Sequence, residues 1–181
     1  MILGITGTMG SGKGAAVEYL KTKGFEHYTY SDILRDIAGK RNIEPTRENL
    51  QKLGLDIKIE SRNMGVLSQE MLKKIKTDKA IVDGVRNVDE IEELKKKKGV
   101  YILGVTAGQR VRYKRMRKRN REGDPVTFSE FKRLDNLENR GKTKGQEINN
   151  CLKMTDFLIE NNGTMDKLKK KIDEVLEKIS A

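Results

Sequence analysis

The sequence predicts an α/β fold, a parallel sheet covered by helices on both faces. Three observations predict it. Short apolar runs at residues 2–5, 80–82, 100–105 and 157–159 lack the polar alternation of half-exposed strands, so they read as strands buried on both faces. Charged stretches with helical periodicity separate them, clearest at the C-terminus, where Met165, Leu168, Ile172, Val175 and Ile179 recur at steps of three and four. A glycine-rich segment directly follows the first apolar run, as it does where a strand hands over to a helix at a phosphate site.

Taken in order, residues 2–5 form the first strand, and residues 25–30, with aromatic and Thr side chains but less apolar continuity, supply a fifth. Two stretches interrupt the alternation. Residues 43–77, with Leu50, Leu53, Met64, Leu67, Met71 and Ile75, read as an inserted helical pair. Residues 109–141 are strongly basic and thin in apolar side chains. Both are too short and polar to fold alone, so they read as flaps over a site within one domain spanning 1–181. The lysine run at 95–98 reads as a solvated helix end. Ligands in such a sheet bind at the carboxyl ends of the strands.

Composition narrows the partners. Among 181 residues, 38 Lys and Arg outnumber 27 Asp and Glu, and the net charge of +11 points to anionic partners, phosphate compounds or nucleic acid. The single cysteine, Cys151, excludes an internal disulfide and a cysteine-rich metal site, and fits a reducing cytoplasm. No apolar run approaches the ~18 residues that a membrane span requires, and the N-terminus carries no basic leader, so a soluble, unprocessed, cytoplasmic protein is expected.

Gly7, Thr8, Met9, Gly10, Ser11, Gly12, Lys13 and Gly14 form a phosphate-binding loop between a strand and a helix. The glycines let successive N–H groups turn inward, the helix presents its positive end, and Lys13 adds a charge for the terminal phosphates of ATP. The hydroxyl residue that usually follows the lysine is missing, since Gly14 and Ala15 stand there. Mg2+ must then be held through water or by a carboxylate elsewhere. Asp83, at the end of the 80–82 strand, is the natural candidate, with a turn aspartate in Asp83-Gly84 as the structural alternative.

Glycine at position 14 resembles adenylate kinase and its nucleoside monophosphate kinase relatives. Ser31, Asp32, Ile33, Leu34 and Arg35 in succession resemble the Gly-Asp-Met-Leu-Arg segment of that family, and Asp83, Gly84, Val85 and Arg86 resemble its Asp-Gly-Phe-Pro-Arg, one residue shorter. The resemblance implies that Arg35 and Arg86 grip an acceptor phosphate. Arg115 and Arg119 fall where the family's lid helix places two phosphate-binding arginines, and Arg133 with Asp135 resembles its later Arg-x-Asp element, followed by Arg140. The segment from Thr155 to Thr164 resembles dephospho-CoA kinase, in which the loop after the last strand contacts adenine. Together these imply a three-layer α/β/α P-loop NTPase fold with strand order 2-3-1-4-5, and membership of an archaeal adenylate-kinase-related group. Ala15 in place of the family's threonine removes one phosphate contact, and the paired aspartates of dephospho-CoA kinase are reduced to Asp32.

The leading functional expectation is transfer of the ATP γ-phosphate to a nucleoside or deoxynucleoside monophosphate or similar phosphorylated acceptor, with Lys13, Arg115, Arg119 and Asp32 as the catalytic set. Arg62 and Gln69 are candidates for acceptor recognition by location in the inserted helices. Two alternatives stand beside it. One is a dephospho-CoA-type kinase, whose hydroxyl acceptor needs a base at Asp32. The other is a slow ATP-dependent switch or RNA-associated ATPase whose basic lid meets nucleic acid; nucleic acid is the less favoured partner. Arg115 and Arg119 share a helix face by i, i+4 spacing with Arg112 close to it, while Arg110, Arg117 and Arg121 spread around the helix; a solvated or RNA-binding face is the alternative for the whole set, and His27 reads as a packing residue.

Overall fold

A computed structural model describes residues 1–121, 124–139 and 147–181. Five parallel strands, β1 (Ile2–Gly7), β2 (Glu26–Thr29), β3 (Ala80–Asp83), β4 (Val100–Thr106) and β5 (Phe157–Glu160), lie in the order β2-β3-β1-β4-β5. Side chains alternate across each strand and sort into two cores. Ile2, Ala80, Val82, Val100 and Ile102 face one layer. Leu3, Ile5, Ile81, Leu103 and Val105 face the other. Burial on both faces explains the unbroken apolar runs.

The second layer is built by α1 (Lys13–Thr22) and α9 (Met165–Ser180), whose Leu168, Ile172 and Val175 are the buried part of the C-terminal stripe. The first layer holds α2 (Tyr30–Lys40), α5 (Val88–Lys95) and α8 (Ile148–Lys153), with the inserted pair α3 (Arg47–Ser61) and α4 (Val66–Lys74) packed on it. Leu50, Leu53, Leu67, Met71 and Ile75 are buried there, as their spacing predicts. The basic segment folds as α6 (Gln109–Arg119) and α7 (Phe128–Asn139) beyond the end of β4.

Two local outcomes differ from expectation. Strand β2 is four residues long, because Thr29 takes the N-cap of α2, its hydroxyl accepting from Asp32 N, and Tyr30 enters the helix. Lys95, expected to be solvated, ties α5 to the connection between α8 and β5 through Asp156 at 2.7 Å and the Met154 carbonyl at 3.0 Å.

The register fixes the site. Asp83 on β3 is level with Ile5 on β1 and Thr29 on β2, so the phosphate loop, the Asp83 carboxylate and the start of α2 meet at the carboxyl edge.

Candidate active site

The phosphate loop is shaped by what holds its carbonyl groups. Lys13 Nζ donates to the carbonyls of Gly7 at 2.6 Å and Thr8 at 2.9 Å. Arg112 donates to the Met9 carbonyl at 3.0 Å. Arg115 at 3.2 Å and Asn161 Nδ2 at 2.8 Å both donate to the Ser11 carbonyl. In a planar trans peptide the next N–H points the opposite way, so each held carbonyl turns an N–H from the loop's outside to its inside. The N–H groups of Met9, Gly10, Gly12 and Gly14 have no acceptor among the described residues. The hydroxyls of Thr8 and Ser11 are likewise buried without a hydrogen-bond partner there. Buried donors without acceptors are rare in folded proteins, and a cluster of them at a helix N-terminus is what a phosphate chain satisfies.

Two glycines are demanded by this geometry. Gly7 has φ +144° and a Cβ there would stand 1.9 Å from the Val105 carbonyl oxygen. Gly12 has φ +105° and a Cβ would stand 2.4 Å from Asn161 Nδ2. Both conformations and both approaches exclude a side chain.

Asp83 is about one quarter exposed, and its one described ion-pair contact is with His27, whose Nε2 lies 3.4 Å away without forming a hydrogen bond. The site residues fit a hydrated Mg2+ rather than a protein-caged one. No cluster of three or more metal-ligating side chains forms among the described residues, and nothing lies within 4 Å of a Cβ at Gly14, where a ligating hydroxyl usually stands. One carboxylate with phosphate oxygens and water suffices for Mg2+.

Of the residues expected to meet an acceptor, Asp32 in the first turn of α2 and Arg35 in the next pair at 3.0 Å, both roughly half exposed. Partial burial pushes the Asp32 carboxyl up, but hydrogen bonding with Thr29 and the charges of Arg35 and Lys74 outweigh it and hold the group below its ordinary value. Arg86 is exposed, with no side-chain partner among the described residues, while its backbone is fixed at both ends: its N–H donates to Glu90 Oε2 and its carbonyl accepts from Glu147 N. Glu90 also accepts from the Lys58 ammonium at 3.0 Å, which binds the inserted α3 to the Arg86 turn through a buried ion pair. Arg62 caps α3 with φ 52° and points to solvent, and Gln69 donates to Glu93.

The basic helix divides by face. Arg112 is buried and forks onto Asp135 of α7 at 2.6 and 2.7 Å. Arg115 donates to Ser11, to Asn161 and to the Gly163 carbonyl, so it clamps the phosphate loop to the turn after β5. Arg119 is forked onto Asp124, whose carboxyl it holds below the usual range. Arg133 is exposed on α7, and Arg140 lies outside the described residues. Arg110, Lys114 and Arg117 recur at i, i+4 and i+7 on the outer face, all exposed. The structure thus brings Lys13, Arg115 and the loop together and sets Asp32 with Arg35 on α2, while the side chains of Arg62 and Arg133 make no hydrogen bond or ion pair among the described residues. Sequence reasoning missed Asn161 as a holder of the loop and the Arg112–Asp135 pair; the one signal for the latter was that Arg112 falls three residues before Arg115.

Comparisons with known proteins agree with this frame. The chain is similar to the shikimate kinase of Bacteroides thetaiotaomicron, the match covering 98% of each chain with a TM-score of 0.60 at 10% identity. The deoxyadenosine kinase of M. mycoides, solved with bound dATP, matches over 100% of both chains with a TM-score of 0.54 at 15% identity. These likenesses establish a P-loop kinase fold. Residues 3–130 match the model of the AAA domain. The UPF0200 protein of Sulfurisphaera tokodaii is 34% identical over 179 residues, covering 98% of this chain and 97% of the relative, and that of Pyrococcus abyssi 33% over 189 residues, covering 99% and 97%. Because the similarity runs the full length of both chains and includes the phosphate-loop domain, this chain belongs to the UPF0200 family.

Proposed function

We propose that the chain is an ATP-dependent phosphotransferase whose acceptor is a nucleoside or deoxynucleoside monophosphate or a similar small phosphorylated compound. The observation that carries this reading is the phosphate loop, whose carbonyls are held by Lys13, Arg112, Arg115 and Asn161 while the N–H groups of Met9, Gly10, Gly12 and Gly14 have no acceptor among the described residues. Such preorganisation favours the charge on a transferring phosphoryl group without reorganisation during reaction.

Lys13 exchanges the Gly7 and Thr8 carbonyls for the donor's terminal phosphates, and Asn161 with Arg115 keeps the loop shaped. Asp83 suits Mg2+ held through water; when bound, the ion neutralises charge on the β- and γ-phosphates. Arg35 and Arg86 supply the acceptor's countercharge, with Asp32 orienting Arg35. An oxygen of the acceptor phosphate forms the new P–O bond as the bond from γ-phosphorus to the bridging oxygen breaks, the electron pair remaining on ADP. That oxygen is already anionic, so no strong base is needed, and the depressed Asp32 carboxyl suits positioning better than proton abstraction.

The test is a transfer assay with ATP and Mg2+ against ribo- and deoxynucleoside monophosphates and dephospho-CoA. Lys13→Ala is expected to lower kcat/KM by about a hundredfold, the loss of one strong charge-assisted contact in the transition state. Turnover on no acceptor, with slow ATP hydrolysis alone, would replace this reading by the ATPase-switch alternative. The exposed cationic stripe at Arg110, Lys114 and Arg117 favours a polyanionic partner in that case.

A further inference from the structure

Three separate parts of the molecule end on one guanidinium. Arg112 Nε donates to the Ala107 carbonyl at 2.8 Å in the turn before α6, one terminal nitrogen donates to the Met9 carbonyl at 3.0 Å in the phosphate loop, and the fork closes on Asp135 of α7. Gln109 adds a bond to Asp135 Oδ2 at 2.9 Å, and the guanidinium lies 5.2 Å from the centre of the buried Phe131 ring. A tie between α6 and α7 alone would need only the carboxylate. The bond to Met9 is additional, and it fixes the peptide that carries the Gly10 N–H into the phosphate cradle. The α6 backbone also presses on that point: a Cβ at Gly10 would stand 2.9 Å from the Arg112 carbonyl oxygen.

We infer that Arg112 is a positioning residue that couples the phosphate loop to the docking of α7, with Asp135 as its relay. This inference rests on the proposal that the loop binds ATP. When α7 is docked, Asp135 holds the guanidinium where it reaches Met9, and the cradle is complete. When α7 lifts, Asp135 leaves with it, Arg112 loses its charged partner, and the Met9–Gly10 peptide is released. Linkage makes the effect reciprocal, so ATP in the cradle favours docked α7 by as much as docked α7 favours ATP. Packing of Tyr113 against Phe128 and Phe131 gives α7 a discrete seat to leave and regain, with ring centres 5.4 and 5.8 Å apart. Neither Arg112 nor Asp135 touches a reacting atom in this account.

The experiment measures ATP affinity by calorimetry and amide hydrogen exchange across residues 128–139, with and without ATP and Mg2+, in the full chain and in Asp135→Asn. In the unsubstituted protein ATP should slow exchange in α7. In Asp135→Asn, ATP should bind about tenfold more weakly, as expected for loss of one charge-assisted hydrogen bond, and α7 should no longer respond to it. Should Asp135→Asn not fold, the paired replacement Arg112→Met with Asp135→Leu removes the Met9 contact while filling the space with apolar atoms, and the same two readouts apply. ATP bound by the unsubstituted protein with α7 unresponsive overturns the coupling and leaves the phosphotransferase reading intact. So does a folded variant in which both affinity and the α7 response persist. Absence of ATP binding by the unsubstituted protein overturns both.

Discussion

At Gly12 the chain passes through φ +105° with the amide nitrogen of Asn161 where a side chain would begin. Gly12→Ala therefore meets two penalties together, a strained backbone and displacement of the Asn161 bond to Ser11. The expected loss is about 2 to 4 kcal/mol of stability, measured by denaturant unfolding, together with ATP binding. Asp135 offers a second test in the opposite sense. Burial pushes its carboxyl up, but hydrogen bonds from Arg112 and Gln109 with the Arg112 charge outweigh it and hold the folded group below its ordinary value of 3.8. Its contribution to stability is then fully present above that pH and is lost as pH falls through the lower folded value. Melting temperature should fall steeply with acid below about pH 4, and the fall should be shallower in Asp135→Asn. The loop motif made the glycine at 12 legible in the sequence, but neither its contact with Asn161 nor the role of Asp135 was. A helix with Arg at 110, 112, 115, 117, 119 and 121 looks basic all round, and the partner that buries Arg112 lies 23 residues away.

The strands were legible because a sheet covered on both sides needs unbroken apolar runs, and β1, β3, β4 and β5 lie where those runs stand. The end of β2 was not, because its last residues take the cap and first turn of α2 through a local hydroxyl bond that apolar patterning does not report. Spacing placed Arg115 and Arg119 on one face of α6 but could not say what that face meets: loop carbonyls for one, Asp124 for the other. The inserted helices show a similar limit. Their apolar positions were readable, whereas the Lys58–Glu90 ion pair that joins α3 to α5 was not. Glu90→Leu strips the buried Lys58 ammonium and the Arg86 N–H of their acceptor. It should cost about 3 to 5 kcal/mol by chemical denaturation, far more than removal of an exposed pair such as Arg41–Glu60.

Across the whole molecule, positive charge exceeds negative by 11, and much of the excess sits on α6, which carries Lys and Arg but no Asp or Glu. Compact folding concentrates that charge, so self-repulsion opposes the native state. Raising ionic strength from about 20 to 300 mM should raise the melting temperature, because screening at the shorter Debye length weakens diffuse repulsion more than the buried ion pairs. A melting temperature that falls with salt would mean that surface ion pairs dominate instead. The charge surrounds a layered body in which the carboxyl edge of the sheet carries the phosphate loop, Asp83 and the Asp32–Arg35 turn, each supplied by a different strand.

Cys151 lies fully buried on α8, below the turn that carries Arg86, and burial in the neighbourhood of Glu90 pushes its thiol up to about 12. The thiolate, which is the reactive form, is thus scarce at neutral pH even before access is considered. Since the chain has no other cysteine, alkylation becomes a stopwatch for the molecule. Each label records an excursion in which α8 has left the sheet, and a ligand that bridges the two sides of the site lengthens the interval between labels.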